Sequence, residues 1–146
     1  MSKRLWNKGT SPSEINEFCR GTMHDAIGLE FTEVGGDYLV ATLPVDSRTK
    51  QPYGILHGGA SAVLAESLGS VASNLVVGDG WEALGIELNA NHLKAVREGK
   101  VTGRVTAIHL GRTLHVWEIR ISDSEGALTC ISRLTVLVRE RKAPTT

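Results

Sequence analysis

This chain has no excess of charge of either sign. Its 16 Lys and Arg balance 16 Asp and Glu, so the formal net charge is zero. A nucleic-acid binder carries a surplus of basic side chains, so no nucleic-acid partner is expected. Long apolar runs are missing too. None approaches the ~20 residues that a membrane-spanning helix needs, so no membrane association is expected. The opening stretch, MSKRLWNKGTSPSE, has basic residues but no apolar segment after them, which argues against a secretory signal. Cysteine is scarce: Cys19 and Cys130 stand far apart and form no metal spacing such as C-x-x-C. Two free thiols at the edge of a core, in a cytoplasmic protein, fit them better than one disulfide bridge. Internal repeats and low-complexity segments are absent as well. At 146 residues the chain suffices for one domain with a real core.

What is present falls into short elements. Ser11-Pro12-Ser13-Glu14 has the form of a capping box with proline at the first helical position. It predicts a short helix through Arg20, ended near Gly21. Residues 27–34 and 38–45 read as two strands joined by a Gly35-Gly36-Asp37 turn into a hairpin. A turn-rich loop spans 46–55. A long helix is predicted over roughly 58–77, stopped by Gly78-Asp79-Gly80. Beyond it the period becomes two: Leu84, Ile86, Leu88, Ala90 and His92 are expected on one face of a strand. Further strands are expected at 101–109, 113–122 and 128–139. Residues 1–10 and 140–146 read as frayed tails. Antiparallel strands and one long helix predict an α+β fold, with the helix packed on a curved antiparallel sheet.

The long helix carries a single acid. On a helical wheel, Leu64, Leu68, Val71 and Leu75 form a bulky stripe. Glu66 lies on another face, beside Ala62, Gly69 and Ser70, with Ser73 a turn further on. Those small residues suggest close approach by a partner helix or a ligand. Glu66 is either a solvated residue of an amphipathic helix or a general base or nucleophile facing a partly buried cleft. No other charge lies between residues 57 and 78, which favours the second.

His57-Gly58-Gly59 opens the same helix. Unpaired N–H groups there sit at the positive end of the helix dipole and suit an oxyanion. Plain turn chemistry also produces such a Gly-Gly pair, and a lone histidine is commonly structural. Gly58 and Glu66 are eight residues apart, about 12 Å along a helix. An oxyanion donor must lie about 3 Å from the carbonyl being attacked. One helix therefore cannot readily present both groups to one carbonyl, whereas two antiparallel copies can. The expectation is a homodimer with shared sites, each taking its donor from one chain and its acid from the other.

PVDSRTKQPYGILHGGASAVLAESLGS (44–70), GIELNANHLKA (85–95) and AIHLGRTLHVWEIRI (107–121) closely resemble the hotdog-fold thioesterases. The branch is the bacterial one that contains the 1,4-dihydroxy-2-naphthoyl-CoA thioesterase of menaquinone synthesis and the proofreading thioesterase of enterobactin synthesis. The resemblance spans residues 13–138. It implies a long central helix wrapped by a curved antiparallel sheet. It implies hydrolysis of acyl-CoA, with aromatic acyl groups preferred, and no cofactor or metal. It further implies a homodimer with shared sites, commonly a dimer of dimers and so a homotetramer.

Residue by residue, Glu66 matches the nucleophile or general base, and Gly58 the oxyanion-hole amide. Gln51 and His57 match the groups that orient and polarise the thioester carbonyl. Ser70 and His92 resemble pocket residues touching the acyl group or the attacking water. Lys94, Arg97, His109, Gly111 and Arg112 stand where relatives bind coenzyme A. Lys94 replaces an arginine common in relatives, which keeps the charge and loses a bidentate phosphate contact. Two other readings stand beside hydrolysis of acyl-CoA: proofreading of aryl or acyl groups on a carrier protein, and an acyl-CoA-binding module without turnover. A hotdog dehydratase, which pairs its histidine and acid differently, fits less well.

Overall fold

The computed structural model describes residues 4–144. Its elements are α1 (Pro12–Phe18), α2 (Met23–Ile27), β1 (Glu30–Val34), β2 (Tyr38–Pro44), α3 (Gly58–Val76), β3 (Trp81–His92), β4 (Lys100–Leu110), β5 (Leu114–Ser122) and β6 (Leu128–Glu140). The six strands form one antiparallel sheet in the order β1-β2-β4-β5-β6-β3. α3 lies across it and touches β2, β3, β4, β5 and β6.

The core sits between α3 and the sheet. Leu64, Ala65, Leu68 and Ala72 of α3 are fully buried against Val101, Val105, Trp117, Ile119 and Leu134. Burying a leucine side chain is worth about 1.5–3 kcal/mol. Two glycines set the helix-to-sheet distance. A Cβ on Gly103 of β4 would come within 2.7 Å of Leu68, and one on Gly69 of α3 within 2.5 Å of Leu134. Ser73, also fully buried, accepts a 2.7 Å hydrogen bond from Trp117 Nε1 and lies 3.0 Å from His115 Nδ1.

The small residues of α3 are therefore largely committed to its own sheet. Gly69 packs against Leu134 of β6 and Ser73 against His115 and Trp117 of β5, so part of the small-residue set on the wheel serves the chain's own sheet. Ala62 and Ser70 stay half-buried.

Other expectations need correction. Residues 27–34 are not one strand. Thr22 caps a further helix, α2, and Gly28 closes it in the left-handed conformation (φ 73°) before β1 begins. The face Leu84-Ile86-Leu88-Ala90-His92 is broken by a bulge between Gly85 and Glu87. Ala83, Gly85, Leu88, Ala90 and His92 pair with Val138, Val136, Leu134, Ser132 and Cys130, all buried, and so share the helix-facing side. Leu84 and Ile86 are left exposed.

Neither tail is wholly frayed. Trp6 is buried and donates from Nε1 to Gly35 O at 2.7 Å, and Asn7 N–H donates to Leu75 O at 2.9 Å. At the other end, Arg141 N–H donates to Gly80 O at 2.7 Å. The outermost residues of both expected tails, 1–3 and 145–146, lie outside the described residues.

The capping box at Ser11 and Glu14 forms as expected, with α1 ending at Phe18. Cys19 and Cys130 are buried free thiols, and burial pushes both above the ordinary thiol range. Among the described residues no helix is long and apolar enough to cross a membrane.

Candidate active site

α3 begins against the loop that precedes it. His57 N–H donates to Thr49 O at 2.8 Å and Leu56 N–H to Val96 O at 2.7 Å, which anchors the entry to the helix. His57 is the N-cap, and its Nδ1 accepts from Gly59 N–H at 2.8 Å. That bond makes Nε2 the protonated nitrogen of the neutral ring. Ala60 N–H turns back to His57 O at 2.9 Å. Gly58 N–H has no acceptor among the described residues, and it sits where the helix dipole favours negative charge.

Gly58 lines a cleft of about 340 Å³ with Gln51, Ser61, His92, Lys94 and Thr129. A Cβ at position 58 would lie 2.8 Å from His92 Nε2, so glycine is what lets the imidazole stand against the start of the helix. Gln51 is held in a tight turn: its N–H donates to Ile55 O at 2.9 Å, and Gly54 N–H donates to Gln51 O at 2.9 Å. Tyr53 N–H occupies its Oε1. The side-chain amide is thereby left to act as a donor. Gln51, Gly58 and His92 thus meet in one cleft, whereas the exposed His57 lines a separate small pocket with Lys50, Gly59 and Val63.

Glu66 is elsewhere. It is exposed on α3, does not line the Gly58 cleft, and its Oε1 lies over Gly85, where a Cβ would come within 2.8 Å. Among the described residues no cation forms an ion pair with it. Ser70, one turn on, lines a second cavity of about 610 Å³ between the α1–α2 segment and the C-terminal half of α3. Ile15, Val71, Leu75 and Trp81 give that cavity apolar walls.

The remaining basic positions divide into two groups. Lys94 and Arg97 are exposed near the start of α3. Lys94 Nζ pairs with Asp123 at 2.6 Å; this bond raises the lysine above its ordinary range and lowers the aspartate, which also accepts from Ala127 N–H. Gly111 and Arg112 line a small cavity with Val76 and Val77 at the far end of α3, and His109 is exposed on β4 just after a bulge. The 19 residues of α3 span about 28 Å, so one chain does not bring the two groups together.

The sequence profile of the Thioesterase superfamily matches residues 53–130. The 1,4-dihydroxy-2-naphthoyl-CoA hydrolase of Escherichia coli is 46% identical over 134 residues, covering 92% of this chain and 98% of that protein. The chain belongs to the Thioesterase superfamily. A proofreading thioesterase, EntH of Cronobacter turicensis, is also 46% identical, covering 92% of this chain and 98% of its own length. The crystal structure of a thioesterase from Haemophilus influenzae superposes with a TM-score of 0.93 at 44% identity, covering 97% of this chain and 99% of the neighbour. The helix-on-sheet layers are the hotdog fold, and this member is a thioester hydrolase.

Sequence reasoning missed Asp123, the partner of Lys94, and His24, on the unpredicted α2. His24 Nε2 lies 2.9 Å from Ser67 Oγ, next in sequence to Glu66. Its Nδ1 is buried with no partner among the described residues, and such an atom costs about 1–3 kcal/mol. Burial lowers this imidazole from its ordinary pKa, against a smaller opposing effect of Asp25. The only signal for α2 was Thr22 followed six residues later by Gly28, a helix start and stop around a segment shorter than a usual helix.

Proposed function

We propose that this thioesterase hydrolyses aromatic acyl-CoA, with 1,4-dihydroxy-2-naphthoyl-CoA as the first candidate substrate. It works at two sites shared across a homodimer, itself paired into a tetramer. The observation that carries this reading is the separation of Gly58 from Glu66 along one helix: neither cavity of a single chain contains both. The sheet edge supports the pairing. β3 is an edge strand of 12 residues, with Leu84 43% and Ile86 58% exposed. A long apolar edge invites a second strand, and a twofold axis there sets two α3 helices antiparallel.

In this reading the thioester carbonyl enters the Gly58 cleft of one protomer. Gly58 N–H and the Gln51 amide donate to the oxygen as it gains charge, and His57 Nε2–H polarises it. Glu66 of the partner subunit attacks the carbonyl carbon, expelling CoA thiolate and forming a mixed anhydride that water then cleaves. Alternatively, it takes the proton from the attacking water. Ser70 and His92 flank the acyl group or that water. Lys94 and Arg97 from one protomer, with His109, Gly111 and Arg112 from the other, hold the CoA phosphates. The twofold arrangement is what supports uniting these two groups. The same reading puts the enzyme in the cytoplasm, where its two thiols stay reduced.

A carrier-bound aryl thioester is the second substrate reading. It is favoured by the EntH relative, which matches as well as the naphthoyl-CoA hydrolase. A kcat/KM panel over 1,4-dihydroxy-2-naphthoyl-CoA, benzoyl-CoA, a fatty acyl-CoA and one carrier-bound aryl thioester separates these. The naphthoyl thioester is expected to lead, and a leading fatty acyl or carrier-bound substrate contradicts the proposal. Single-turnover hydrolysis in labelled water distinguishes the two roles of Glu66, since only the anhydride route places solvent oxygen in its carboxylate.

A further inference from the structure

The larger cavity along α3 combines apolar walls from Ile15, Val71, Leu75 and Trp81 with polar groups, one of them an imidazole. His24 lines it together with Ser70, Val71 and Leu75. One nitrogen of that ring already has a partner, Ser67 Oγ at 2.9 Å, and the other has none among the described residues although it is buried. Either tautomer leaves the ring short of one hydrogen bond. With the proton on Nε2 the unpaired atom is an acceptor, and with the proton on Nδ1 it is a donor. Buried polar atoms in folded proteins nearly always find partners, so an exception on a cavity wall calls for an explanation. The χ2 torsion of histidine is soft and roughly twofold. Ser67 Oγ can also turn back to a carbonyl of its own helix. The ring can therefore offer its spare hydrogen bond to a group inside the cavity at small cost.

We propose that His24 is a specificity-determining residue, which selects acyl groups carrying a hydroxyl substituent by hydrogen-bonding that hydroxyl in the cavity beside Ser70. This inference rests on the aromatic acyl-CoA reading. A hydroxyl serves because it both donates and accepts, so it satisfies either tautomer of the ring. An unsubstituted aromatic ring in the same place leaves the nitrogen unpaired and is discriminated against for that reason. Asn74 lines the same cavity, but it is already engaged: its side chain donates to Ser70 O at 2.9 Å and pairs with Ala83 in both directions at 3.2 Å. Lys8 and Asp79 pair with each other and Thr22 donates to Cys19 O, so among the described lining residues His24 is the side chain that carries a buried polar atom without a partner.

The test is kcat/KM for benzoyl-CoA and for 2-, 3- and 4-hydroxybenzoyl-CoA, with wild type, His24→Val and His24→Gln. Wild type should prefer one hydroxylated isomer over benzoyl-CoA by about tenfold. That ratio should fall to near one in His24→Val and be partly kept by His24→Gln, which retains a donor and an acceptor. The same ratio in wild type and His24→Val overturns the role of His24 and leaves the thioesterase reading intact. No turnover of any of the four by wild type overturns the aromatic reading and this inference together. A second readout does not depend on turnover. In ¹⁵N spectra of labelled wild type, the His24 Nδ1 signal should move with the matching hydroxybenzoate and not with benzoate. A signal unmoved by all four acids contradicts the inference.

Discussion

The two ends of α3 face different kinds of space. At its start, the smaller cleft is lined by groups that donate: the Gly58 amide, the Gln51 side chain and Lys94. Along its second half, the larger cavity has apolar walls from Ile15, Val71, Leu75 and Trp81, with His24, Ser70 and Asn74 on α2 and α3 and the Lys8–Asp79 pair among its polar groups. In the proposed reading the first region holds developing charge and the second holds the acyl group. Glu66 lies between them on the exposed side and lines neither. The fold sets Gly58 and Glu66 apart along a single helix, and the proposed dimer would reunite them through a second α3 in the opposite sense.

The sharpest way to break this division is Glu66→Gln. It removes the acid without touching either cavity wall, and it should lower kcat by about 10³-fold. Because the residue is exposed in the single chain, thermal unfolding should stay near wild type. Thiol-release kinetics and circular dichroism melts check both parts.

Gly58→Ala tests the donor end. The added methyl meets His92 and displaces the start of the helix, with an expected loss of about 10²-fold in kcat/KM. Leu68→Ala tests the rod itself. It should cost about 2–5 kcal/mol in urea denaturation, since that side chain is fully buried over Gly103. Either variant behaving like wild type weakens the comparison.

The smallest effect is one of pH. Burial lowers His115 below its ordinary value of 6.5, opposed by a backbone hydrogen bond at Gly111, and burial lowers His24 as well. Each is neutral in the fold and binds a proton more readily when unfolded. Their stabilisation is therefore complete above 6.5 and is lost as pH falls toward the folded-state values. The urea midpoint should drop between about pH 7.5 and about pH 5.5. A midpoint that is flat or rises on acidification contradicts this assignment.

Much of the donor end was legible in the residues. The capping box at Ser11, the helix from Gly58, the hairpin at Gly35 and the extents of β4, β5 and β6 all follow from local periodicity and turn chemistry. The other end was not. The bulge at Ile86 shifts β3 by one residue, and alternation alone cannot locate such a shift. α2 is only five residues long, too short for a period to register. The inward turn of Ser73 depends on Trp117 and His115, more than 40 positions away. Long-range partners of that kind leave no mark on a helical wheel. The acid's position on the wheel was legible, and its approach to Gly85 across the β3 bulge was not.

The most direct measurement mixes two inactive chains, Glu66→Gln and Gln51→Ala, unfolds and refolds them together, and follows acyl-CoA hydrolysis. With sites shared between protomers, each heterodimer regains one intact site, and random pairing predicts about a quarter of wild-type activity. Activity that stays at the level of the separate parents contradicts the shared site.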